Sequence, residues 1–159
     1  MALAKGQPAE REEPAPVIVE LALDAYLPVD YVRDEIERVD LYRRASGVHT
    51  LTELEDLAEE LQERFGEPPE PALNLLGLSR IKLLARGVGA TAINYRSGTL
   101  SVTGVTATAA TPALIRRATG GIVDGREGRV TVRGSTLGAL DLAEESLRAL
   151  ERSAGLPIS

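Results

Sequence analysis

The chain has 159 residues and a formal net charge of −6; 43% of residues are apolar, 26% charged and 3% aromatic. That balance fits one globular domain with an aliphatic core, and the negative charge argues against nucleic acid as a direct partner. With no cysteine and one histidine, disulfides are excluded and a zinc site nearly so. No apolar run is long enough to span a membrane and no signal-peptide core stands at the N-terminus, so a cytoplasmic protein is expected.

Residues 1–16 are polar and carry Pro8, Pro14 and Pro16. They are expected to be a flexible linker or tail, of the kind left when a domain is taken from a longer chain. The domain proper is expected over residues 17–155. Val17 to Leu23 is rich in β-formers and predicts a strand. Asp24 to Tyr31 contains Pro28, which takes Leu27 out of helical geometry and predicts a structured connection with Tyr26 and Tyr31 as packing residues. Asp34 to Ala45 predicts a helix with Ile36, Val39 and Tyr42 on one side and Arg43 and Arg44 at its end, where cations suit the helix dipole; Gly47 stops it.

Thr50 to Gly66 is the most strongly patterned stretch. Thr50 with Glu53 forms a capping box, Gly66 is the stop, and Leu54, Leu57, Leu61 and Phe65 make one apolar stripe, assigned to the core. Glu53, Asp56, Glu60 and Glu63 recur every three or four residues beside it, and no base lies between Glu53 and Glu63. At about 100° per residue these acids line one face, which predicts an uncompensated acidic surface. Charge runs of this kind usually serve only to keep a surface helix soluble.

Pro71 suits the first position of a third helix, running to about Arg86 with Leu73, Leu76, Ile81 and Leu84 as burial candidates and Gly87 as its cap. The period then changes from 3.6 to 2. Ala90 to Tyr95 and Thr99 to Val105 flank Arg96-Ser97-Gly98 as a hairpin, and Ile122-Val123 and Arg129 to Arg133 flank D-G-R-E-G as a second. Between them Thr111-Pro112 opens a short helix over Ala113 to Thr119. Ser135 or Thr136 caps a final helix carrying Leu140, Leu147 and Leu150, with Leu137 at its start. The expected class is α+β: helices packed on a small, mostly antiparallel sheet in a single domain.

No pattern here points to catalysis. Gly87-Val88-Gly89 leaves a helix and enters a strand, the reverse of a phosphate loop, so it is expected to be a helix cap. His49 has no metal-ligating or nucleophilic companion. Acids along one helix do not supply the two opposed carboxylates of glycoside hydrolysis. No cofactor or metal is expected. Two other classes remain open: a stand-alone acid–base enzyme, which requires a concave pocket with convergent carboxylates, and a self-associating module.

Several spaced motifs occur in order: Asp24-Ala-Tyr26-x-Pro28-x-x-Tyr31; Asp34-Glu35-x-x-Arg38-x-x-Leu41-Tyr42-Arg43-Arg44; Glu53-Leu54-x-x-Leu57; and Glu60-Leu61-x-Glu63-Arg64-Phe65-Gly66-x-x-Pro69, then Leu75-Leu76 and Arg80 to Gly89. Together they resemble the C-terminal domain of the bacterial transcription-repair coupling factors, the Mfd family. The resemblance is good from Val17 to Gly89 and too loose to carry residue roles beyond Thr103. Arg33 stands where the family often has proline, and Glu63 where it usually has aspartate.

The resemblance implies a non-catalytic domain of an ATP-driven DNA translocase that displaces stalled RNA polymerase and recruits UvrA for nucleotide-excision repair, with the motor elsewhere in the parent. It implies an autoinhibitory clamp on the parent's UvrB-like module, with Glu60 and Glu63 facing that module and Asp56 and Glu53 extending the same face.

Overall fold

The computed structural model describes residues 16–154; the expected tail therefore lies outside the described residues, apart from Pro16. The elements run β1 (Ile18–Glu20), α1 (Glu35–Ser46), α2 (Leu51–Phe65), α3 (Glu70–Gly87), β2 (Ala92–Arg96), β3 (Thr99–Thr103), α4 (Thr111–Thr119), β4 (Ile122–Arg126), β5 (Arg129–Arg133) and α5 (Ala139–Ser153). The strands form one sheet in the order β1-β2-β3-β5-β4, antiparallel except for the parallel β1–β2 pair. The class is α+β, as the pattern of periods predicts.

Alternation builds the sheet. Ile93, Leu100, Val102, Val130 and Val132 are buried on one face, while Asn94, Ser101 and Thr131 stand in register on the other. The buried face meets α5 through Leu142, Ala143, Leu147 and Leu150, and Ile115 of α4 completes this cluster. Ser97 and Gly98 both have positive φ, 53° and 78°, which is the twist a two-residue hairpin turn demands.

A second apolar cluster joins Leu41 and Ala45 of α1, Leu54, Leu57 and Leu61 of α2, and Val32. Helix α3 belongs to both. Ala72 and Leu76, in its first half, sit in the α1–α2 cluster; Ile81, Leu84 and Ala85, in its second, sit in the sheet cluster. Tyr31 ties the connection before α1 to the end of α2: its hydroxyl lies 2.8 Å from the Gly66 carbonyl and 3.2 Å from that of Leu61.

Several expectations need correction. Ile36 and Val39 do not face the core; they are 80% and 53% exposed, and α1 instead buries Leu41 and Ala45. Leu73 and Tyr26 are exposed as well. Phe65 is only partly buried, tilted against the Tyr31 ring with centroids 5.7 Å apart. Strand β1 is three residues long, because the chain turns at Leu21, whose carbonyl accepts from the Leu23 amide. Strand β4 continues through Asp124-Gly125-Arg126, leaving Glu127-Gly128 as the whole turn. Helix α5 starts after Gly138 with no side-chain cap. The Ser135 hydroxyl donates to the Thr119 carbonyl at 2.6 Å instead and accepts from the Leu137 amide.

Glu151 of α5 is 3% exposed, and its Oε1 has no hydrogen-bond partner among the described residues. A buried carboxylate oxygen without a partner is costly. Glu151→Met is expected to range from neutral to about 2 kcal/mol more stable by urea unfolding.

Leu54 of α2 and Leu73 of α3 each fit the apolar period of their own helix but differ in burial. Leu54 is fully buried and Leu73 is 52% exposed. Leu54→Ala is expected to cost about 2–5 kcal/mol and Leu73→Ala under about 0.5 kcal/mol in the same assay. Phe65→Ala is expected to fall between them, below the ~3–5 kcal/mol of a fully buried phenylalanine.

Candidate functional site

Helix α2 forms where its capping box predicts. Thr50 Oγ1 accepts from the Glu53 amide at 3.0 Å, and the Glu53 carboxylate reaches back to the His49 amide at 2.7 Å. Its inner face buries Leu54, Leu57 and Leu61, which turns the acid-bearing face outward. Gly66 closes the helix at φ 90°, a conformation that suits glycine.

The outward face is not uniformly uncompensated, and this revises the expectation at Glu60. Arg44 of α1 grips Glu60 with both guanidinium nitrogens, at 2.6 and 3.0 Å, and Arg64 adds a third contact at 2.9 Å. Arg64 also pairs with Glu37 of α1 and lies over the Phe65 ring, 4.8 Å from its centroid. Two arginines hydrogen-bonded to the Glu60 carboxylate lower its pKa from 4.5 to about 2. Hydrogen bonding to Glu60 likewise raises the pKa of both Arg44 and Arg64.

The four predicted acids therefore divide into two pairs. Glu53 is committed to the helix cap and Glu60 to the arginines. Asp56 and Glu63 are exposed and have no hydrogen-bond or ion-pair partner among the described residues. Asp56 and Glu53 share a shallow groove of about 350 Å³ with Arg44, Gly47, Val48 and Leu57.

The residues that sequence reasoning missed are Arg44, Arg64 and Glu37. Arg64 had a local signal, since it stands four residues after Glu60, the spacing of a helical ion pair. Arg44 and Glu37 had none, because α1 must first fold beside α2 to bring them in.

Glu60 does not suit the role of a general acid. A general acid needs a raised carboxylate pKa, and Glu60 moves the other way. Gly87-Val88-Gly89 ends α3, with Gly89 at φ 77°. His49 is exposed. Among the described residues no three His, Asp or Glu side chains gather as metal ligands, and no helix is long and apolar enough to cross a membrane.

The family model described as the TRCF domain matches residues 21–114, which include α1, α2, α3 and the acidic face. The chain belongs to the TRCF domain family. The TRCF chain is 38% identical over 97 residues to the transcription-repair-coupling factor of Mycobacterium tuberculosis, covering 60% of this chain and 8% of that protein. The corresponding protein of Staphylococcus haemolyticus is 35% identical over 94 residues (58% of this chain, 8% of that one). That of Escherichia coli is 38% identical over 71 residues (45% and 6%). The chain thus matches less than a tenth of the length of these relatives. Among solved structures, the C-terminal domain of a transcription-repair coupling factor superposes with a TM-score of 0.74 at 20% identity, covering 87% of this chain and 91% of that one. At that coverage the shared fold extends past residue 114.

The Glu60 cluster carries a pH signature. A carboxylate whose pKa falls from 4.5 to about 2 on folding adds stability that is fully present above pH 4.5 and is lost as pH drops through 2. Because the cluster is partly exposed, the effect is expected to be about 0.5–1 kcal/mol at low salt. Glu60→Gln should lose that amount at pH 7, and its deficit should shrink between pH 4.5 and 2. A deficit of the same size at every pH would show that Glu60 acts through packing alone.

Proposed function

We propose that this TRCF domain is a non-catalytic regulatory module of a cytoplasmic transcription-repair coupling factor, and that it holds the UvrB-like module of its parent through the outward face of α2. The parent is the ATP-driven DNA translocase that displaces stalled RNA polymerase and recruits UvrA; closure of the clamp hides the UvrA-binding surface. Membership of the family supports the parent's identity. The observation that carries the contact is the pair of exposed carboxylates, Asp56 and Glu63, left without partners on a face where Glu53 and Glu60 are already engaged.

The division of labour among the acids makes physical sense for a clamp. Glu60, fixed by two arginines, serves as a rigid floor rather than as a free charge. Asp56 and Glu63 supply charge that basic groups of a partner can meet by charge-assisted hydrogen bonds, which fix register and are readily exchanged for water. Within one parent chain, tethering raises the effective concentration, so few contacts suffice for closure.

The test titrates the UvrB-like module against the chain by calorimetry. Asp56→Asn with Glu63→Gln should leave the melting temperature within a degree or two, since neither residue has an intradomain partner, and should weaken binding about five- to fiftyfold. The loss should fade at high salt. Binding as tight as wild type would remove the acidic face from the interface.

A further inference from the structure

The exposed side of α1 is unusual for a helix within a folded domain. Ile36 is 80% exposed and Val39 53% exposed, the former being the most exposed large apolar side chain among the described residues. They lie three residues apart, hence on one surface of the helix, and they line an open groove of about 510 Å³ with Glu35, Glu37, Asp40 and Arg64. Scattered apolar residues on a surface need no explanation, but two adjacent ones lining a groove mark a place where something binds.

The groove's charge says what that something is. Both bases at its edge are already occupied: Arg43 pairs with Asp40 at 3.3 Å, and Arg64 with Glu37 and Glu60. Three acids, Glu35, Glu37 and Asp40, line the groove against these two bases, and Glu35 has no pairing partner among the described residues. The rim therefore presents net negative charge around an apolar floor. Arg64 belongs to the groove and to the Glu60 cluster together, so the groove continues the α2 face.

We infer that this groove seats an apolar side chain of a protein partner whose flanking residues are basic, with Ile36 and Val39 as the anchor and the acids of α1 meeting the flanking charges. The inference rests on the clamp described above, so the partner is the UvrB-like module, and it gives that contact a dry centre that acids alone lack. Interfaces concentrate their energy in such apolar centres, with charged rims setting register and rate.

The experiment uses the 159-residue chain and the UvrB-like module, comparing Ile36→Ser/Val39→Thr with Asp56→Asn/Glu63→Gln. Both substituted apolar side chains are exposed, so the melting temperature should hold. The apolar variant should bind at least tenfold more weakly, with a loss that persists at 0.5 M salt and a less negative heat-capacity change of binding. Wild-type affinity in the apolar variant alongside a loss in the acidic variant would overturn the groove and leave the clamp standing. A loss in the apolar variant alone would keep the groove and remove the acids. No binding by the wild-type chain would overturn both.

Discussion

The structure depends on one helix being buried at both ends in different company. At 1.5 Å per residue, the 18 residues of α3 span about 27 Å, enough to cross from one apolar cluster to the other. Ala72 and Leu76 hold the α1–α2 pair, and Ile81, Leu84 and Ala85 hold the sheet and α5. Gly77, between these groups, lets Leu140 of α5 approach so closely that a Cβ there would sit 2.9 Å from one of its methyl carbons. The helical hairpin carrying the acids is thus mounted on the sheet chiefly through α3, with Leu51 of α2 also packed against the sheet cluster.

Electrostatics then finish what packing begins. Leucine contacts between α1 and α2 are non-directional and would tolerate sliding. The Arg44–Glu60–Arg64–Glu37 chain is directional: it joins α1 to α2 at two points seven residues apart on α1, about two turns, and so sets their register. Each such pair adds little stability at a surface, so its value lies in geometry. Removing the free acids beside it should leave that geometry alone, so the proposed binding can be tested separately from stability on this face.

Much of this was legible in the chain. Capping box, stripe and stop located α2 within a residue at each end because all three signals are local. The Ser97-Gly98 turn and the change of period after Gly87 located the first hairpin for the same reason. The ends of β1 and β4 and the uncapped start of α5 were local misses, and those at side chains are tertiary. Periodicity shows that Ile36 and Val39 share a side of α1 but cannot say whether that side meets its own domain. Leu73 fits the period of α3, yet it falls beyond the reach of either cluster. Glu60 looked uncompensated because one of its arginines, Arg44, is sixteen residues away and comes from another helix. Glu151 reads as an ordinary surface acid on an amphipathic helix, and only the fold buries it.

The proposed clamp, which must open as well as close, has to balance two demands. A wholly apolar contact of standard size would hold too firmly and leave a sticky surface exposed on release. A wholly charged one would be screened at cellular salt and would fix orientation poorly. Two apolar side chains ringed by carboxylates fall between these limits. Under the proposed clamp, the apolar area exposed on release is small, and the acids that line it discourage non-specific association. The same acids favour a basic partner over the many acidic surfaces competing for the groove. In the proposed interface the apolar pair lies on α1 and the free acids on α2, so both must be held in register, and the ion-pair chain between the two helices becomes a condition for the proposed recognition as well as a feature of the fold.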